Sequence, residues 1–136
     1  MITGINHIGI VVTNIESVVE KFADIYGIEK PEIKYVESRN MKVAVVSIGG
    51  SSLELLEDFN ETLTLPTLDG KPVENTKENF IHHYALGSTD IEKDVAELVK
   101  KGCAKIGDGP KVGVRGKLIQ FFHDPATDLL VELSEA

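Results

Sequence analysis

An α+β fold of two tandem βαβββ modules is what this chain of 136 residues predicts, and three observations predict it. The first is an apolar, β-branched stretch, Ile5-Asn6-His7-Ile8-Gly9-Ile10-Val11-Val12, followed at once by a helical stripe. The second is that the same order of features returns from Phe80. The third is that each half ends in a strand with a glutamate between apolar neighbours, Leu53-Glu54-Leu55 and Val131-Glu132-Leu133. Two such halves pair their sheets into a half-open mixed β barrel, with the helices outside. The faces opposite the helices then meet around one cavity.

Ile5 to Val12 reads as a buried strand. Alternate side chains go to opposite faces, so His7, Gly9 and Val11 share one face and Ile8, Ile10 and Val12 the other. Asn14 is suited to cap a helix and Glu16 to its first turn. Ile15, Val18, Val19, Phe22, Ala23 and Tyr26 follow helical spacing, and Gly27 is placed to end the helix. Strands are expected at about 32–36, 42–48 and 51–57, the last two joined at Gly49-Gly50. Residues 58–79 are polar and rich in turn formers, with Asp69-Gly70 near the middle, and are long enough for part to fold over the cavity.

The second copy starts with a strand over Phe80 to Ser88. His7 precedes Thr13 by six positions and His83 precedes Thr89 by six; Asn14-Ile15-Glu16 answers to Asp90-Ile91-Glu92. Ile91, Val95, Leu98 and Val99 form the second helical stripe, which ends near Gly102. A short strand at 104–106, a glycine-rich loop at 107–116, and strands at 117–122 and 128–133 around a His123-Asp124-Pro125 turn complete it. The reading is one domain: a first module at 1–57, a connection at 58–79 and a second module at 80–136. It is an internal repeat of two copies.

Bulk properties limit the functional classes. The net charge is −8, from 14 Lys and Arg against 22 Asp and Glu. That disfavours nucleic acid and anionic membrane surfaces as partners. One cysteine, Cys103, rules out an internal disulfide and suits a reducing, cytoplasmic setting. No secretory signal is expected from Met1-Ile2-Thr3-Gly4, and no apolar run approaches the roughly 20 residues that span a bilayer.

The chemistry is carried by four residues. Glu54 lies 47 residues after His7, and Glu132 lies 49 after His83. With Leu53, Leu55, Val131 and Leu133 facing the helices, both acids point toward the histidines. A lone buried carboxylate is costly unless it is paired or holds a metal. Two imidazoles and two carboxylates suit a divalent Zn, Ni, Co, Mn or Fe ion, and donor type does not select among these. The plainer alternative is hydrogen-bonded core histidines and glutamates on solvent-facing strand sides. His82 rivals His83 but does not match His7 in its distance to the helix, and His123 sits in a turn. Lys111, Arg115 and Lys117 are either ordinary surface charge or a contact for an anionic group such as phosphate. Cys103 has no histidine near it in sequence and reads as structural.

These residues resemble the vicinal oxygen chelate superfamily, which includes glyoxalase I and methylmalonyl-CoA epimerase, and the resemblance spans nearly the whole chain. It rests on Asn6 to Val12, on Ile81-His82-His83 followed by Thr89-Asp90-Ile91, on Val112-Gly113-Val114-Arg115-Gly116-Lys117, and on Leu129-Leu130-Val131-Glu132-Leu133. It implies that His7, His83 and Glu132 bind the metal. Position 54 is glutamine in some epimerases and glutamate in glyoxalase I, so Glu54 is compatible with both. In some epimerases a further glutamate, proposed as a base, stands where this chain has Val43. The implied activity is metal-dependent epimerisation of methylmalonyl-CoA or a close 2-substituted malonyl thioester, with Glu132 or Glu54 moving the proton and Lys111, Arg115 and Lys117 near the substrate phosphates. Glyoxalase I activity on a glutathione hemithioacetal is the first alternative. A non-catalytic binding module is the second, although such members generally lack the four ligands. The resemblance also implies a homodimer.

Overall fold

The computed structural model describes all 136 residues. In chain order the elements are β1 (Ile2–Val11), α1 (Ile15–Tyr26), β2 (Ile33–Val36), a 3-10 turn (Glu37–Arg39), β3 (Met41–Ile48), β4 (Ser51–Asp58), β5 (Phe80–Ser88), α2 (Ile91–Lys100), β6 (Ala104–Val112), β7 (Leu118–His123) and β8 (Leu130–Glu135). The chain divides into two compact units. One holds His7–Thr64 and Val73–His82; the other holds Met1–Asn6, Leu65–Pro72 and His83–Ala136. The division falls inside β1 and β5, so each unit borrows a short piece from the other half of the sequence.

In the unit that contains His7, strand order is β2-β3-β4-β1. β1 runs parallel to β4, and the other neighbours are antiparallel. A parallel pair needs a crossover, which α1 begins. Its start is fixed by two side chains: the Asn14 carboxamide accepts from the Ser17 N–H at 3.1 Å, and the Glu57 carboxylate accepts from the Ile15 N–H at 2.8 Å. It stops at Gly27, whose φ of 63° suits a residue without a Cβ. The helix buries Ile15 and Val19 against Val12, Ala44, Val46 and Leu55.

The connection after β4 is tied down by one carboxylate. Asp58, 3% exposed, accepts from the N–H and Nδ2 of Asn60 and from the N–H and hydroxyl of Thr64, all at 2.8–2.9 Å. Asn75 donates to the carbonyls of Asp58 and Asn60 at 2.8 and 2.9 Å, and Thr62 bridges Glu74 in antiparallel fashion. The segment is thus a locally knotted return rather than a free loop. Its tip turns at Gly70, as the sequence indicates, with the Gly70 N–H on the Thr67 carbonyl.

In the unit that contains His83, strand order is β5-β8-β7-β6. β5 is parallel to β8, and β8 to β7 and β7 to β6 are antiparallel. Asp90 caps α2 as Asn14 caps α1. Ile91 and Val95 bury against Phe122, Val131 and Leu133. After β7 the Asp124 carboxylate accepts from the Ala126 N–H, the Thr127 hydroxyl and the Tyr84 hydroxyl, which closes the turn onto β5.

One expectation needs correction. The loop read at 107–116 is largely strand, because β6 continues to Val112. Pairing breaks after Ile106 and resumes at Lys111, so the glycines and Pro110 mark a bulge inside a strand. The true turn is 113–117, closed by the Gly113 N–H on the Lys117 carbonyl at 2.8 Å.

Burial works to raise the Asp58 carboxyl, but its four hydrogen bonds outweigh that and hold it below the ordinary value of 3.8. The stabilisation is therefore present above that value and is lost as pH falls through the lower, folded-state one. Asp58→Ala should cost about 1–3 kcal/mol at neutral pH, since it strands buried donors. Urea unfolding of wild type and variant should show the gap shrinking in acid; an equal gap at pH 7 and pH 3 would contradict this account.

Candidate functional site

Strand register sets each candidate ligand. In β1 and β4, His7 stands opposite Ser52, Gly9 opposite Glu54 and Val11 opposite Leu56. Directly opposed residues share a sheet face, so His7 and Glu54 lie diagonally on one face, with Gly9 between them in register. The other face carries Leu53 and Leu55 toward α1, as expected. His7 is 1% and Glu54 4% exposed, and His7 Nε2 lies 3.8 Å from Glu54 Oε2.

The other unit repeats this. Ala85 stands opposite Glu132, and Val131 and Leu133 pack toward α2. His83 and Glu132 are buried, with Nε2 and Oε2 3.6 Å apart. Phe121, opposite Glu132 on β7, meets the edge of the His83 ring at a centroid distance of 5.1 Å and an angle of 84°. Sequence reasoning missed Phe121; its signal lay in the β7–β8 register, which an unaligned sequence does not display.

Each pair fits a divalent ion by donor type. Neutral imidazole nitrogen and carboxylate oxygen are standard donors, each about 2.0–2.2 Å from a bound zinc. Two donors at that range stand about 2.8–3.8 Å apart for bond angles of roughly 90–120°. The observed 3.6 and 3.8 Å sit at the wide end of that range, and beyond the ordinary N–H···O hydrogen-bond distance of about 2.7–3.2 Å.

The remaining candidates separate. Lys111, Arg115 and Lys117 are exposed and lie on one hairpin, formed by β6, the 113–117 turn and the start of β7. His82 is partly exposed, with its ring 6.4 Å from Phe80, and alternation puts it on the opposite face of β5 from His83. His123 Nε2 lies 3.0 Å from the exposed Asp128 carboxylate. Cys103 packs beside the α2 core, where burial and then the nearby Asp124 charge push its thiol up, which suits an unreactive residue. Val43, 6% exposed, pairs with Leu56 and so shares its strand face with Val45, which stands opposite Glu54. No acid occupies that position.

The sequence profile of the glyoxalase/bleomycin resistance protein/dioxygenase superfamily matches residues 6–121. The chain belongs to that superfamily. It is 28% identical over 136 residues to the mitochondrial methylmalonyl-CoA epimerase of Dictyostelium discoideum, covering 96% of this chain and 77% of that protein. It is 26% identical over 141 residues to the ethylmalonyl-CoA/methylmalonyl-CoA epimerase of Cereibacter sphaeroides, covering 99% of both. Among solved structures, a methylmalonyl-CoA epimerase of Streptomyces coelicolor in complex with 2-nitronate-propionyl-CoA superposes with a TM-score of 0.81 at 28% identity, over 100% of this chain and 99% of that one. The superfamily membership and α+β fold expected from the sequence are borne out. No helix of this superfamily member is long and apolar enough to cross a membrane.

The buried carboxylates give a test of their own. A buried carboxylate kept for an ion rather than for the fold can be exchanged for its amide isostere in metal-free protein without loss of stability. At pH 8, metal-free Glu54→Gln and Glu132→Gln should match or exceed the wild-type Tm. A fall of more than about 4 °C, roughly 1 kcal/mol in a chain of this size, would instead make these carboxylates structural.

Proposed function

We propose that this chain is a divalent-metal-dependent epimerase of 2-substituted malonyl-CoA thioesters, methylmalonyl-CoA first among them. The observation that carries the reading is the repetition of one buried His–Glu pair at equivalent positions of both halves, in a superfamily whose members most like this chain include methylmalonyl-CoA epimerases. His7, Glu54, His83 and Glu132 would together hold one ion; the first three are buried donors of the kinds such an ion takes. Bound there, the ion supplies an electrophile that stabilises negative charge on a thioester oxygen as the neighbouring carbon loses its proton.

The chain's own residues do the rest. Glu132 or Glu54 accepts the proton from the carbon between the two carbonyls, leaving the electron pair delocalised onto oxygen; a solvent proton added on the opposite face inverts the centre, and the glutamic acid releases its proton to solvent. With Val43 in place of the extra glutamate, one of these two acids gives up its ligand role to act as base. On each half the face around the pair is apolar, with Val11, Val43 and Leu56 beside Glu54 and Phe121 beside His83. Such walls exclude water and strengthen the interactions that stabilise developing charge. Lys111, Arg115 and Lys117 are assigned to the phosphates of the CoA carrier. A cytoplasmic homodimer goes with this reading, and light scattering of the purified protein checks the dimer.

The test is elemental analysis of the purified protein together with proton exchange into methylmalonyl-CoA in D₂O. A bound divalent ion and rapid exchange are expected, with no turnover of a glutathione hemithioacetal. Glu132→Gln should lower kcat by about 10²–10⁴-fold, the range for a lost acid–base group. Metal-loaded protein that exchanges no proton with the CoA ester would overturn the reading.

A further inference from the structure

Strand β6 carries three residues more than its partner. Ile106 stands opposite Phe121 and Lys111 opposite Ile119. Four residues, 107–110, therefore span on β6 what Gln120 alone spans on β7. Strand side chains alternate with a period of two, so an odd insertion exchanges faces. Without the bulge Lys111 would share the face of Leu118, Gln120 and Phe122, which lies toward α2. With it, Lys111 shares the face of Ile119, Phe121 and Glu132.

One side chain fills the bulge. Gln120 is 3% exposed, and its Nε2 donates to the Ile106 carbonyl at 3.1 Å and to the Phe121 carbonyl at 2.9 Å. Both partners are acceptors, which fixes the amide orientation. Its Oε1 is buried without a hydrogen-bond partner and lies against Gly109, where an added Cβ would collide with it. The bond from Gln120 Nε2 to the Ile106 carbonyl ties the start of the bulge to β7, and what it secures is the offset between the two ends of β6.

We propose that Gln120 and Gly109 are positioning residues that turn Lys111 onto the face of Glu132, where its ammonium takes a phosphate on the carrier arm of the substrate. This deepens, and rests on, the thioester reading above. From Glu132 to Lys111 the sheet runs two strands across and two residues along, about 12 Å between Cα atoms at ordinary strand spacings. An acyl carboxylate sits within a few ångströms of the reacting carbon, so the anion that meets Lys111 belongs to the carrier. A compact ammonium is a common phosphate ligand.

Calorimetric titration with propionyl-CoA and with propionyl-pantetheine, which lacks the phosphates, tests this. Lys111→Met should weaken propionyl-CoA about tenfold and leave propionyl-pantetheine within twofold, while Lys111→Arg stays near wild type. Gln120→Leu and Gly109→Ala should reproduce the Lys111→Met pattern, and their retained binding of propionyl-pantetheine shows that the fold is intact; if one of them misfolds, the other decides. Wild-type affinity for propionyl-CoA in Lys111→Met, or in a folded Gln120 or Gly109 variant, overturns the inference, as does equal weakening of both ligands. Lys111-dependent binding without epimerisation of methylmalonyl-CoA would sustain the inference and bring down the epimerase reading instead.

Discussion

Two carboxylates are buried in the middle of β-sheet, and the rest of the arrangement follows from that constraint. A carboxylate buried in such a place needs a polar partner or a cation beside it. Here each has an imidazole less than 4 Å away, on the neighbouring parallel strand. The parallel pairing obliges the chain to cross over between the two strands, so it requires the helix. The helix in turn requires the apolar residues at alternate positions, Leu53 and Leu55 in one half and Val131 and Leu133 in the other. The buried polar pairs and the core are thus written on alternate residues of the same strands, and a one-residue slip of β4 or β8 would exchange them.

The two halves are equivalent in plan and unequal in detail. Gly9 faces Glu54 where Ala85 faces Glu132, and Val45 faces Glu54 where Phe121 faces Glu132. One half has a strand-to-strand connection at Gly49-Gly50; the other has a bulged strand carrying a basic hairpin in an otherwise acidic chain. The first half offers apolar walls, and the second offers an aromatic edge against its histidine and cationic side chains on its hairpin. A duplicated unit has specialised without altering the pair at its centre.

Much of this was legible in the sequence because it depends on short-range periodicity. The caps Asn14 and Asp90, the helical stripes and the alternation around Glu54 and Glu132 are local signals, and they appear where the pattern puts them except at the helix ends, where Tyr26 and Val99 are exposed. What was not legible depends on partners distant in sequence. The run Gly107 to Pro110 has the composition of a loop, and only pairing with β7 makes it a bulged strand. The role of Asp58 depends on donors at 60 and 64 and on Asn75 returning beside it, none of which periodicity reports. Phe121 was invisible for the same reason: its importance is a register, and register is a property of two strands.

The bulge in β6 also constrains how the chain can evolve. Because three surplus residues set which way Lys111 points, changes in length between 106 and 111 preserve that direction only in even numbers. Loss or gain of a single residue would turn the ammonium to the helix side without disturbing the strands themselves. Relatives that share this basic position should therefore differ in bulge length by two or not at all, a parity rule that conventional gap scoring does not contain.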